Sequence, residues 1–364
     1  MKKKVWLIGV FGSFALVILF ILFLARTKTV IDLESAWIME PVKQKETKRI
    51  WKKIEFKETG TSEELIDSDK MIFGPDNNIY VADLSLFVIK KYDITSKFII
   101  SLGKGEGRGP GEFLDISNIR TDTFGNVWAL DPFNSRVTIL YPSKPNEWKI
   151  IEIPFIPLNI IPLHNDKYLL EERFDGHLRR YTISGKVESE FDRIVDDQSL
   201  WSAVLYSRYT VGTDQSIIAV QHDLNNLIRY SGDGKIQYFR KPIDPPDYPK
   251  IDPYYANEVG KVNSVDYRTW KQVSRDVFTV GSSIHVFIID QFVWHENSVK
   301  SRKKIMDVYD IDTGDYLYSY NLPEQLQTVA VSETHLAGIS EELGKLVIWE
   351  VEEGWNQTRE LQHE

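Results

Sequence analysis

The chain has 364 residues, of which 42% are hydrophobic, 12% aromatic and 27% charged, a composition that excludes a disordered protein and is sufficient for a sizeable core. Five of the 44 basic residues (Lys2, Lys3, Lys4, Arg26 and Lys28) precede residue 30, so the remainder sets 39 basic against 53 acidic side chains and argues against nucleic acid as a partner. With no cysteine, disulfides, thiolate catalysis and thiolate metal sites are excluded together.

Residues 1–4 form a basic tip, and Val5 to Ala25 is an uninterrupted run of apolar and small residues, long enough as a helix to cross about 30 Å of hydrocarbon. The run predicts a transmembrane signal anchor at 5–25. A cleaved signal peptide is the rival, but bulky Phe23 stands where a cut after Ala25 wants a small residue. The basic tip predicts a cytoplasmic amino terminus and a periplasmic or extracellular remainder, hence a single-pass inner-membrane protein. Residues 26–48 are polar and weakly patterned and predict a tether, followed by one domain over 49–364.

From residue 70 onward a short β run, a tight turn, a second run, a loop, a third run, another turn and a fourth run recur. The first unit reads KMIFG, IYVAD, FVIKKYD, KFIISLG, and the second reads ISNIRTD, VWALD, RVTILYP, WKIIEIP. Looser units follow from NIIPLH, SRYTVGT, DVFTVG and QTVAVS. Each run is alternating or continuously apolar and rich in β-branched and aromatic residues, as half-buried or sandwiched strands should be. Six such units predict an all-β, six-bladed β-propeller; a pair of β-sandwiches is the alternative. Such a ring needs closing, and RIWKKIEFKE (49–58), which has no partner of its own, is the candidate outer strand of the last blade, with WNQTREL (355–361) as competitor.

GKGEGRGPGEF (103–113) packs five glycines between the first and second units. It is not a nucleotide loop, because a strand and no helix follows it; it predicts a tight crossing from rim to axis with positive φ angles. A weaker ligand reading remains, in which free loop N–H groups and Arg108 hold an anion.

The block GRGPGEFLDISNIRTDTFGNVWALDPFNSRVTIL resembles an NHL-type repeat, and with the preceding IYVADLSLFVIKKYDITSKFIISLG it is similar to the six-bladed propeller family of bacterial cell-envelope proteins. The likeness covers residues 65–141 and implies a fold and an envelope location, not an activity. Many members of that family resemble lipoproteins; this chain lacks the cysteine for that.

Strand parity places the loops between second and third strands, and the crossings between units, on one face. The long segments 103–113, 241–275 and 291–303 all fall there, which makes that face the candidate binding surface for a protein, peptide or glycan. The 241–275 crossing combines five prolines with Tyr248, Tyr254, Tyr255 and Trp270, and Trp294 stands in the next long loop. These aromatics either recognise a partner or cover the seam between the fourth and fifth units.

Polar groups recur at the ends of the second strands: Asp83, Asp131, Glu171 or Glu172, His222 with Asp223, Asp290 and Glu341. A ring of them around the channel mouth would suit Ca²⁺ or another divalent cation, with Asp83, Asp131, Glu172, His222 and Asp290 as ligands, and an alternative function as a propeller hydrolase or lyase. Otherwise they are structural, accepting hydrogen bonds from the following loop, with Asp131 paired to Arg136. No zinc spacing or nucleophile elbow occurs, so no catalytic residue is assigned and no cofactor is required.

Overall fold

The structure is a computed structural model that describes residues 37–172, 177–195, 206–246, 251–256, 260–265, 272–290, 294–295, 298–299, 303–351 and Trp355. From β1 (Phe56–Thr61) the chain enters blade one, made of β2 (Met71–Phe73), β3 (Ile79–Asp83), β4 (Val88–Tyr92) and β5 (Phe98–Leu102). Blade two is β6 (Asn118–Thr121), β7 (Val127–Asp131), β8 (Arg136–Leu140) and β9 (Trp148–Glu152). Blade three is β10 (Pro157–Leu163), β11 (Lys167–Glu172), β12 (Leu178–Thr182) and β13 (Val187–Glu190). Blade four is β14 (Ser207–Val211), β15 (Ile217–Gln221), β16 (Leu227–Tyr230) and β17 (Ile236–Arg240). A hairpin of β18 (Ile251–Ala256) and β19 (Gly260–Val265) precedes blade five. That blade is β20 (Gln272–Val280), β21 (Ser283–Asp290), β24 (Lys303–Asp310) and β25 (Tyr316–Asn321), with the short hairpin β22 (Trp294–His295) and β23 (Ser298–Val299) between its second and third strands. Blade six is β26 (Leu326–Val331), β27 (His335–Ser340) and β28 (Leu346–Val351), completed by β1.

The chain is therefore an all-β, six-bladed propeller. Each first strand packs against the next around the ring, β2 on β6, β6 on β10, β10 on β14, β14 on β20, β20 on β26, and β26 back on β2. No α-helix occurs among the described residues, and none of their helices is long and apolar enough to cross a membrane. The apolar run Val5 to Ala25 lies outside the described residues.

The sequence pattern maps onto radial position. The second strands β3 and β7 are buried along their whole length because another blade covers each of their faces, whereas the outer strands β5 and β13 are largely exposed. Apolar residues consequently form wedges between blades. Tyr80, Ala82 and Ile89 of blade one meet Ile119, Val127, Ala129 and Leu140 of blade two, and a further wedge spans blades five, six and one.

The ring closes through the amino-terminal side. β1 pairs antiparallel with β28, from Phe56 opposite Val351 to Thr61 opposite Val347. The strand starts later than the 49–58 stretch suggested, and of the competing 355–361 stretch only Trp355 is described, its Nε1 donating to Ser332 O at 2.8 Å. Residues 37–52 form a strap along the rim, although the sequence assigns 26–48 to a tether. Trp37 packs edge-on against Phe239 at 5.2 Å, Val42 N donates to Phe239 O at 2.8 Å, and Lys52 N donates to Ser319 O at 2.8 Å. The Arg49 guanidinium reaches Asp244 at 2.9 Å and buried Asp307 at 3.1 Å. The charged run KQKETKR masks this docking in the sequence, because much of it is made by backbone groups on the open edges of β17 and β25.

The glycine-rich crossing behaves as its composition suggests. Gly103, Gly105 and Gly111 take φ values of 98°, 93° and 81°, folding the loop over buried Phe113. Gly60 matters for a different reason. It sits at a bulge in β1, and a Cβ there would stand 2.1 Å from Thr95 O in blade one, while Thr59 Oγ1 donates to Ile94 O at 2.8 Å. Gly60→Ala is expected to push the closing strand off blade one and lower stability by about 2–4 kcal/mol, read as a fall in the thermal and urea midpoints. Unchanged midpoints would mean that this contact does not hold the closure.

Candidate functional site

Backbone register decides which face carries the long segments. In blade five Gln272 of β20 lies opposite Asp290 of β21, and Asp290 lies opposite Lys303 of β24. The 241–271 segment therefore arrives at the same end of the sheet from which 291–302 departs. Blade four ends there too, since Ser274 N donates to His222 O at 2.9 Å just after β15. The β18–β19 and β22–β23 hairpins are thus rooted on one face, the face at which every first strand begins. Tyr254, Tyr255 and Trp294 lie on these hairpin strands, and Tyr248 and Trp270 lie outside the described residues.

The second strands stand one strand away from the axis, and the loops beside them take up Asp83 and Asp131. Asp83 accepts from Ser85 N and Leu86 N at 3.1 and 3.3 Å and faces Lys90 Nζ at 3.0 Å. Asp131, fully buried, accepts from Leu114 N and Asn134 N, both at 3.0 Å, and from Asn134 Nδ2 at 2.7 Å. Arg136 was expected to pair with Asp131. Its guanidinium instead donates to the carbonyls of Arg108, Gly109 and Glu112 at 3.0, 3.0 and 2.5 Å, clamping the glycine loop from its carbonyl side. The loop N–H groups of Lys104, Gly107, Glu112 and Phe113 bond to loop carbonyls, that of Gly109 bonds to the Glu112 carboxylate, and Arg108 is exposed. Glu172 pairs with Arg179, and His222 Nδ1 contacts Asp223. Asp290 closes β21, its side chain outside the description. Among the described residues no three His, Asp or Glu side chains come together as a cation would need.

What lines the axis belongs to the first strands. A chamber of about 20 Å³ is lined by Asp69, Lys70, Met71, Arg120, Arg208, Arg275 and Asp276 among others. Met71, Arg120 and Asp276 also border a second cavity of about 170 Å³ whose other walls include Ile161, Val211 and Phe278. The channel is thus polar near the long-segment face and apolar beyond. Lys70 Nζ stands 2.5 Å from Asp69, and Arg120 lies 4.0 Å from Asp276 while donating to Ile119 O at 2.9 Å and Tyr209 O at 3.2 Å. Burial lowers the pKa of both Arg120 and Lys70. The Arg208 guanidinium lies over the Tyr206 ring at 4.7 Å and donates to its hydroxyl.

Behind the chamber a buried network continues from Asn118 through Asn159 to Glu171. Asn118 Nδ2 donates to Asn159 Oδ1 at 3.2 Å, Asn159 Nδ2 to Glu171 Oε2 at 2.5 Å, and the Tyr209 hydroxyl to Glu171 Oε1 at 3.0 Å. Burial pushes the Glu171 carboxyl up to about 7, despite these donors and Arg208 nearby.

None of the axial cations was singled out from the sequence. Arg120 and Arg208 sat inside the strands ISNIRTD and SRYTVGT, and Arg275 was assigned to the crossing because β20 begins four residues before DVFTVG. A charge in the first strand of units two, four and five was the available signal: a first strand faces the channel, so a charge there must point at the axis or be paired.

No family model matches the chain, and no curated protein matches it. Among solved structures it resembles a DUF4221 family member from Bacteroides vulgatus, with TM-score 0.57 and 12% identity over 84% of this chain and 98% of that one. A Bacteroides fragilis protein described as exported gives TM-score 0.52 and 12% identity over 85% and 98%. The virginiamycin B lyase of Staphylococcus aureus gives 0.49 and 12% over 82% and 100%. At such identities the likeness is one of fold alone.

Two outcomes are expected from this geometry. Asp131→Ala leaves the part-buried Leu114 and Asn134 N–H groups without their acceptor and should cost about 2–4 kcal/mol, with the same loss in Ca²⁺ as in chelator. A variant of normal stability that had lost a bound cation would instead support the carboxylate ring. Glu171 is protonated to higher pH in the folded chain than in the unfolded one, so its contribution falls as pH rises from the ordinary 4.5 to about 7, by up to about 3 kcal/mol. Glu171→Gln should flatten the stability profile between pH 5 and 8, and an unaltered profile would rule out a raised Glu171.

Proposed function

We propose that this chain is a membrane-anchored, extracytoplasmic propeller that acts as a binding module, taking a protein, peptide or glycan on its long-segment face. The observation that carries this reading is the rooting of both inserted hairpins at the face where the arginine-lined axial chamber also lies. A rigid ring that lengthens its loops on one side only, and gathers charge at the same end, concentrates its recognition capacity there. The anchor follows from Val5 to Ala25 and the basic tip, which would hold the propeller on the outer side of the inner membrane. Kinship with NHL-type envelope propellers belongs to the same proposal and rests on residues 65–141.

The test uses the full chain in a Gram-negative host. Protease added to spheroplasts should digest the propeller while alkaline wash leaves the chain in the membrane, and protection from protease would overturn the orientation. A photo-crosslinker at Glu258, between β18 and β19, should give discrete adducts in cells, and one at Lys144, in the turn between β8 and β9 on the opposite face, should give none. Adducts only from Lys144 would move the binding surface to the other side.

A further inference from the structure

We propose that the axis carries a second binding site, open to the face opposite the long segments, for a small arylalkyl amine: its benzene-sized ring enters the axial cavity and its ammonium group stays in the mouth among hydroxyl oxygens and the Glu333 carboxylate. The site goes beyond the binding reading and does not depend on it, because it lies at the other end of the ring.

The cavity of about 170 Å³ is walled by Met71, Ile161, Val211, Val277 and Phe278, apolar side chains from the first strands of blades one, three, four and five. Apolar cavities of about 150 Å³ admit a benzene-sized guest. The charged groups at the inner end are matched to one another. Arg120 lies 4.0 Å from Asp276 and donates to two backbone carbonyls, and Asp276 Oδ1 accepts from Val277 N at 2.9 Å. This end therefore asks for no anion, and a guanidinium beside the cavity favours an aromatic ring over an alkyl chain of equal volume.

The outer end opens into a depression of about 640 Å³ between the turns that follow the first strands of blades one, two and six. Thr121 borders both spaces, and the Thr279 hydroxyl of the depression stands 3.3 Å from the Thr210 hydroxyl of the cavity, so the two are consecutive parts of one channel. The mouth presents acceptors. Thr279 Oγ1 donates to Val211 O at 2.9 Å and Thr121 Oγ1 to Phe73 O at 3.4 Å, which directs both protons into the wall and leaves oxygen lone pairs for a ligand.

Charge at the mouth has one sign. Its lining holds two carboxylates, Asp122 and Glu333, and no Lys or Arg. Asp122 is taken up by its own turn, accepting from Phe124 N, Asn126 N, Asn126 Nδ2 and Trp128 Nε1. Glu333 is exposed and has no ion-pair partner among the described residues. The flanking groups leave it so. Lys91 is held by Asp76 at 2.6 Å, His164 Nδ1 lies 3.5 Å from Thr123 Oγ1, and His335 Nδ1 lies 2.8 Å from Thr334 Oγ1, burial lowering the His335 pKa. A lining of acceptors and carboxylates repels an anion and receives a cationic donor, and the apolar cavity behind it supplies the place for a ring.

Full-length protein in lipid nanodiscs is titrated by calorimetry and thermal shift with 2-phenylethylamine, 2-phenylethanol, phenylacetate and ethylamine, against empty nanodiscs that account for partition into lipid. The expected result is saturable binding of 2-phenylethylamine, with a midpoint rise of roughly 4 °C at about a hundredfold excess over Kd. Phenylacetate should do no more than it does to empty nanodiscs, and ethylamine, which buries no ring, should bind at least about thirtyfold more weakly. Glu333→Gln should weaken amine binding about three- to fivefold, leave 2-phenylethanol binding as it was and keep the unliganded midpoint, since the carboxylate is exposed. Val211→Phe, which fills the cavity, should abolish binding of both ring compounds. Toluene should compete with the amine, a reading that needs no folded cavity variant. No saturable binding of 2-phenylethylamine, phenylacetate binding as tightly as the amine, no competition by toluene, or amine affinity unchanged in Glu333→Gln would each overturn the proposal.

Discussion

The ring must close, and every other feature of this molecule depends on that constraint. A single blade buries its apolar faces only against two neighbours, so an open arc would expose a wedge such as that formed by Tyr80, Ile89 and Val127. Closure here is a pairing of distant segments, β1 with β28, roughly the whole propeller apart in sequence. It is reinforced from the side by Thr59 on blade one and by the apolar wedge that runs through blades five, six and one. The absence of a side chain at Gly60 lets the closing strand lie close to Thr95. A long loop-closure entropy is thereby offset by hydrogen bonds and apolar contacts made at once on two blades.

The rim strap extends the same logic outward. Outer strands of a propeller leave unpaired edges, and residues 37–52 cover those of blades four and five before β1 completes blade six. Buried Asp307 would be an uncompensated charge without Arg49 from this strap, and burial still raises its pKa despite that partner. The segment that leads from the apolar amino-terminal run to the domain is consequently part of the folded ring from Trp37 onward.

Closure also creates the axis, and the axis collects what the first strands present to it. Six parallel first strands converge on a channel too narrow for many large side chains, so charged groups placed there lie close together and partly out of water. The chemistry of the chamber is therefore a property of convergence. Arg120, Arg208 and Arg275 are 88 and 67 residues apart along the chain and meet only because the first strands of blades two, four and five converge on one axis. Asp83 and Asp131, displaced by one strand from that axis, serve instead as loop acceptors, and Arg136 fixes the glycine crossing through its carbonyls.

Local pattern is enough to read the blades. IYVAD and VWALD, flanked by PDNN and TFGN, carry their burial and their turns within a dozen residues, and the glycines of 103–113 announce positive φ because few other residues adopt it. From these the strand order, the six-fold repeat and the sidedness of the long segments follow without coordinates. What the sequence could not supply was anything resting on contacts between distant strands. Docking of the strap is made largely by backbone groups that leave no mark in side-chain pattern, and the redirection of Arg136 from Asp131 to loop carbonyls depends on where a crossing folds back. The axial arginines look, in one dimension, like isolated polar positions in edge-like strands. Only the closed ring turns them toward one another, because electrostatic neighbourhood is a function of distance in space and the sequence records distance along the chain.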